Sequence, residues 1–165
     1  MNRPFKKGSR GFTLLLAALI ASITLALGTS IFTIAQKEVA LASIGKDSQY
    51  AFYAADTAAE CALYWDYRYK FFELEPADDA PANPTCAGRP ICTGDAEDDC
   101  TRRSSYPQTM TFQFEPNGYC ALVTVFKRMQ GNALRTTIHA DGYSTTCAQR
   151  ETTPRALERS VELNY

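Results

Sequence analysis

Residues 12–35, FTLLLAALIASITLALGTSIFTIA, carry no charged side chain. Wound as a helix at 1.5 Å per residue, such a run is about 36 Å long, slightly more than the roughly 30 Å hydrocarbon core of a bilayer. It reads as a membrane-spanning segment. Arg3, Lys6, Lys7 and Arg10 precede it, whereas Gln36, Lys37 and Glu38 close it with no net positive excess. The positive-inside rule then places residues 1–11 in the cytoplasm and everything beyond about residue 38 on the far side. A cleaved secretory signal is the competing reading, and Ala40-Leu41-Ala42 offers a small-x-small site. Against it, the apolar stretch exceeds the usual 7–15 residues or so, and polar residues separate it from that site.

The rest of the chain is sized for one small domain. Of 165 residues, about 125 remain beyond the leader and apolar run, enough for a single modest core. The formal net charge of −1 and the lack of a basic patch outside the leader argue against nucleic-acid binding.

Cysteines stand at 61, 86, 92, 100, 120 and 147, six in all, on the side of the membrane where disulfides survive. An even count in an exported domain reads as a disulfide framework, with fifteen possible connectivities that sequence does not resolve. Pairing of sequence neighbours, Cys92 with Cys100, Cys120 with Cys147 and Cys61 with Cys86, is the working expectation. No C-x-x-C pair occurs and the single histidine is remote from the cysteines, so no metal site is expected.

No proline interrupts the chain between Pro4 and Pro76. Apolar residues recur at Ile44, Phe52, Ala55, Ala59, Ala62 and Leu63, while Lys46, Asp47, Gln49, Asp56 and Glu60 take other faces. One continuous helix from Phe12 to about Tyr67 is expected. The small residues Ala51, Ala54, Ala55, Ala58, Ala59 and Ala62 would let strands lie close against it. After Glu75, proline, glycine and small polar residues predict an irregular, cysteine-ordered loop. Glu73, Glu75, Asp78, Asp79, Asp95, Glu97, Asp98 and Asp99 face the single base Arg89 over that stretch. Their spacing matches no EF-hand, and a solvated acidic loop is favoured over a calcium site.

Beyond Pro107 the period becomes two. Met110, Phe112 and Phe114 alternate with Thr111, Gln113 and Glu115, Pro116-Asn117-Gly118 supplies a turn, and YCALVTVFKRM follows. Gln130-Gly131-Asn132 makes another turn before Leu134, Thr136, Ile138 and Ala140, which alternate with Arg135, Thr137, His139 and Asp141. Val161, Leu163 and Tyr165 suggest a fourth strand. Such spacing describes an antiparallel meander with one face free to cover a helix. His139 falls on the polar face with Arg135 and Asp141, where an exposed histidine is expected. Ser144 has no G-x-S-x-G elbow, and paired cysteines are not nucleophiles. No catalytic residue and no cofactor are expected; the chain reads as a non-enzyme.

The junction Gly11-Phe12-Thr13-Leu14, between a basic leader and a full-length apolar helix, resembles the G-F-[ST]-L signal of type IV prepilins. The resemblance implies cleavage between Gly11 and Phe12 by prepilin peptidase, N-methylation of Phe12, and retention of the helix. Most pilins carry glutamate five residues after the cut, where Leu16 stands here. A buried carboxylate at membrane depth is costly unless paired, and the family's glutamate is thought to meet the terminal ammonium of a neighbouring subunit. Its absence resembles a subset of minor pilins and pseudopilins, PilX-like proteins among them.

The expected fold class is therefore α+β: a long N-terminal helix packed on a small antiparallel sheet, disulfide-bonded. The expected organisation is a leader at 1–11, a transmembrane half-helix at 12–35, an amphipathic half-helix at 36–70, and an extracytoplasmic β domain at 71–165. Implied partners are prepilin peptidase, other pilin subunits with their assembly machinery, and membrane lipid before assembly. A single-pass inner-membrane protein that passes into an extracellular filament is implied. A permanently anchored binding ectodomain, or a pseudopilin of a secretion or DNA-uptake system, are the alternatives.

Overall fold

The computed structural model describes residues 10–93 and 99–165. The leader residues 1–9, with Arg3, Lys6 and Lys7, and the acids Asp95, Glu97 and Asp98 lie outside the described residues. The described chain is α+β. Helix α1, Arg10–Tyr69, has 60 residues, a continuous run made possible by the absence of proline. Lys70 ends it by taking a positive φ of 50°, so that its N–H bonds the Asp66 carbonyl at 3.0 Å. This is the left-handed cap that closes many helices, here without glycine. Arg68 sits in the last turn, where a cation complements the helix dipole.

The chain divides into two compact units, Met1–Ile44 and Gly45–Tyr165. In the second unit, Ala51, Ala54, Ala55, Ala58, Ala59, Ala62 and Trp65 of α1 are buried. They recur at helical spacings and make a stripe of small side chains against the sheet. Ile44 and Phe52, expected on the apolar face, are instead exposed at 53% and 46%. Ile44 shares the helix face of Ala51 and Ala58 but belongs to the first unit, where residues 12–44 are all exposed; Phe52 stands at the margin of the alanine stripe, where the sheet does not cover it.

The opposing layer is a four-stranded antiparallel meander, β3 (Gln108–Phe114), β4 (Ala121–Gln130), β5 (Ala133–Tyr143) and β6 (Glu158–Asn164), in spatial order β3-β4-β5-β6. A small hairpin, β1 (Thr85–Cys86) with β2 (Arg89–Pro90), orders part of the loop after the helix. Alternation sends Met110, Phe112 and Phe114, Val123 and Val125, and Ile138 and Ala140 into the core. Each large aliphatic or aromatic side chain so buried contributes about 1.5–3 kcal/mol. Gly131 opens the two-residue β4–β5 turn with φ 62°, the conformation a first-position glycine supplies. Phe72, immediately past the helix, stacks on Phe112 at 5.8 Å between ring centroids.

One contact governs how near helix and sheet come. Gly142 faces inward from β5, and a Cβ there would lie 2.0 Å from the Ala51 carbonyl oxygen and 2.5 Å from the Ala55 nitrogen. Strand and helix backbones meet at that glycine.

Three disulfides join sequence neighbours: Cys61–Cys86, Cys92–Cys100 and Cys120–Cys147. The first ties α1 to the β1–β2 hairpin across 25 residues. Beside it the Trp65 indole N–H donates to the Thr85 carbonyl at 3.0 Å. Closing a loop of this length removes unfolded-state entropy worth about 3 kcal/mol. Replacing Cys61 and Cys86 together by serine is expected to lower unfolding free energy by about that amount in urea titration; a loss below ~1 kcal/mol would show that the hairpin is held by its packing alone.

Candidate functional site

Segment 12–46 of α1 is exposed at every residue. Phe12, Leu14, Leu25 and Ile31 each leave two thirds or more of their surface bare, at 67%, 73%, 71% and 67%. A helix apolar all round and uncovered does not persist in water, since nothing offsets the cost of hydrating it. This helix is long and apolar enough to cross a membrane. Its hydroxyl side chains bond back to the helix itself. The hydroxyls of Ser22, Thr29 and Thr33 donate to the carbonyls of Leu19, Ala26 and Ser30 one turn back, at 2.8, 3.0 and 2.8 Å. Ser30 and Thr24 do likewise. Hydrogen-bonding capacity is thus satisfied within the helix, as an apolar medium demands.

The residues singled out at the junction, Gly11, Phe12, Thr13, Leu14 and Leu16, all lie in the opening turns of α1. Leu16 is 46% exposed and brings no ionisable group to this segment. The first acid or base after Arg10 is Lys37.

A second constellation, in unit 45–165, was not legible as such in the sequence. Asp66 and Lys127 are buried, at 4% and 1% exposure. The Lys127 ammonium donates to Asp66 Oδ2 at 2.7 Å and to Thr136 Oγ1 at 2.9 Å. The Tyr165 hydroxyl donates to the same Asp66 oxygen at 2.6 Å. Asp66 Oδ1 is buried with no hydrogen-bond partner. Asp66 stands at the end of the alanine stripe, and Lys127 occupies the inward position that follows Val123 and Val125 on β4. The cluster therefore pins the last turn of α1 to the middle of the sheet and to Tyr165.

Burial, and then the hydrogen bond to the Asp66 carboxylate, push the Tyr165 phenol well above its ordinary value of 10.0. The folded state thus holds this proton more tightly than the unfolded chain. Its contribution to stability is full below pH 10 and is lost as pH rises beyond it. Alkaline unfolding followed by Trp65 fluorescence is expected to steepen above pH 10, and the Tyr165→Phe chain to lose that added slope. Identical alkaline profiles would rule out this linkage.

His139 lies on the outer face of the sheet, its Nε2 3.0 Å from Asp141 Oδ1 and its Nδ1 3.4 Å from Glu162 Oε2. The carboxylates meet opposite ring nitrogens and do not converge on a common point. Asn164, and secondarily His139, hold the Glu162 carboxyl below its ordinary value. In the acidic stretch, Asp79 pairs with Arg68 at 3.2 Å and Asp99 Oδ1 accepts from the Thr101 N–H at 3.2 Å. Among the described residues no group of three metal-ligating side chains converges.

No family model, curated protein or solved structure matches the chain.

Proposed function

We propose that this chain is a structural subunit of a type IV pilus or related filament, made as a precursor and cut by prepilin peptidase between Gly11 and Phe12. The observation that carries the reading is the bare apolar surface of segment 12–35, which starts at a G-F-T-L junction and continues as the helix of a disulfide-bonded α+β unit. Such a surface has two compatible environments. In the bilayer it meets lipid; in a filament it meets the equivalent helices of neighbouring subunits, and in neither is it hydrated. Transfer from one to the other therefore costs little, which is the mechanism by which a stored subunit becomes an assembled one.

The basic leader orients the chain with residues 1–11 in the cytoplasm and unit 45–165 outside, consistent with three disulfides in that unit. Leu16, in place of a carboxylate that would meet a neighbour's terminal ammonium, favours a minor, tip or assembly-priming subunit over the bulk shaft subunit. The chain works by association, not by catalysis. Its partners on this reading are the peptidase, other pilins and the assembly machinery.

Gly11→Val is the direct genetic test. A β-branched residue at the cut is expected to leave the leader attached, keep the chain in the membrane fraction, and remove it from sheared surface filaments. Unchanged filament incorporation would count against the reading.

A further inference from the structure

The outer face of the sheet carries a pair of arginines with no counter-ion among the described residues. Arg128 on β4 and Arg135 on β5 are directly opposite each other in the antiparallel register, and both are exposed. Like charges so placed repel and weaken a strand pair. Here, among the described residues, neither guanidinium has a hydrogen bond, an ion pair or a ring contact. The nearest acid along β6, Glu162, is already engaged by the Asn164 amide at 2.7 Å and by His139.

The two arginines line a groove of about 230 Å³, completed by Gln130, Thr137, Asn164 and Tyr165. Thr137 donates to Asn164 Oδ1 at 2.7 Å, which fixes that wall. The rim is rigid because Tyr165 and Thr136 exchange both backbone hydrogen bonds, at 2.8 and 3.0 Å, and the Tyr165 hydroxyl is tied to Asp66. The groove therefore holds two guanidinium forks that form no salt bridge among the described residues, with the Tyr165 main-chain oxygen engaged by the Thr136 N–H beside them.

We propose that Arg128 and Arg135 form a binding site for a phosphate group. A tetrahedral oxyanion between two guanidinium planes accepts charge-assisted, fork-shaped hydrogen bonds from both. It also removes the repulsion that the bare pair suffers. Gln130, at the hairpin end of the same groove, supplies a neutral amide donor. Two sources present this chemistry, a soluble phosphate or phosphoester and the headgroup of an anionic phospholipid. The site needs no filament, and its existence is independent of processing at Gly11.

The test uses the full chain in nonionic detergent micelles and phosphate-free buffer, with thermal unfolding followed by Trp65 fluorescence and phosphate binding by calorimetry. Inorganic phosphate is expected to raise the midpoint of the natural chain, more than chloride at matched ionic strength. Arg128→Thr and Arg135→Thr, which relieve the repulsion, are expected to melt at or above the natural chain without phosphate, to gain nothing on its addition, and to bind it at least tenfold more weakly. The Arg128→Lys/Arg135→Lys chain keeps both charges but loses the forks, and is expected to bind with intermediate affinity. Micelles doped with phosphatidylglycerol separate the sources: competition with added phosphate identifies a headgroup, and its absence a soluble ligand. Equal responses of the natural and threonine chains, or a chloride effect as large as that of phosphate, would overturn the proposal. So would threonine chains that melt lower than the natural chain in phosphate-free buffer, since the arginines would then be structural.

Discussion

Gly142→Ala is expected to destabilise unit 45–165 by about 3 kcal/mol or more, the upper range for forcing atoms into a packed interface. The added Cβ would meet backbone atoms, 2.0 Å from the Ala51 oxygen and 2.5 Å from the Ala55 nitrogen, and backbone does not rotate away as a long side chain does. Relief requires helix and strand to separate, which loosens the alanine stripe along its whole length and opens gaps around Ala55, Ala58 and Ala62. Gly45→Ala provides the control. No atom lies within 4 Å of a Cβ at Gly45, so the same chemical change in the helix is expected to stabilise by up to about 1 kcal/mol through helix propensity. Urea unfolding read by the single tryptophan, Trp65, measures both. Alanine substitutions of equal sign and size would show that the close approach at Gly142 does not control the interface.

The second large effect belongs to the buried pin. Lys127→Ala leaves the Asp66 carboxylate inside the protein with only the Tyr165 hydroxyl to solvate it. Removing one partner of a buried ion pair costs about 3–5 kcal/mol. The double change Asp66→Leu/Lys127→Met keeps the volume and removes both charges. It is expected to recover most of that loss, because desolvating the two ions already offsets much of their mutual attraction. Asp66 Oδ1, buried and unbonded, argues in the same direction. If the single substitution costs under ~1 kcal/mol, the pair is not sealed from water. If the double change is as damaging as the single, the pin is needed for packing geometry and not merely tolerated.

Much of this architecture was written in periodicity. Proline-free sequence from Phe12 onward gave one helix, and strict alternation at Met110, Phe112 and Phe114 and at Ile138 and Ala140 gave strands and their inward faces. The turns at Pro116-Asn117-Gly118 and Gln130-Gly131-Asn132 follow from backbone preferences of those residues. Periodicity failed where packing, not pattern, decided. Phe52 satisfies a helical apolar spacing, yet the sheet lies against the alanines, because only small side chains allow the contact at Gly142; Ile44 keeps the spacing of the buried face but falls outside the unit that holds the sheet. That glycine is one residue beyond the alternating run that marks β5, and nothing local distinguishes it from a turn glycine.

The Asp66–Lys127 pin was hidden for a related reason. Each residue taken alone breaks a pattern: a carboxylate four residues beyond Ala62 on the alanine stripe, and a lysine where Val123 and Val125 set the inward register. Either would be read as a charged residue at the frayed end of an element. Only a register linking Lys127 to Thr136, with the helix laid across them, shows that the two exceptions cancel. The apolar helix needed no such partner information, since composition and length alone mark a run long and apolar enough to cross a membrane.

The mass of the N-terminal peptide from the producing cell separates a processed filament subunit from a fixed anchor. A chain that begins at Phe12 and carries one methyl group on the terminal amine is expected. A chain that retains Met1 and the leader, or one that begins near Ser43 after loss of the apolar helix, would contradict the filament reading.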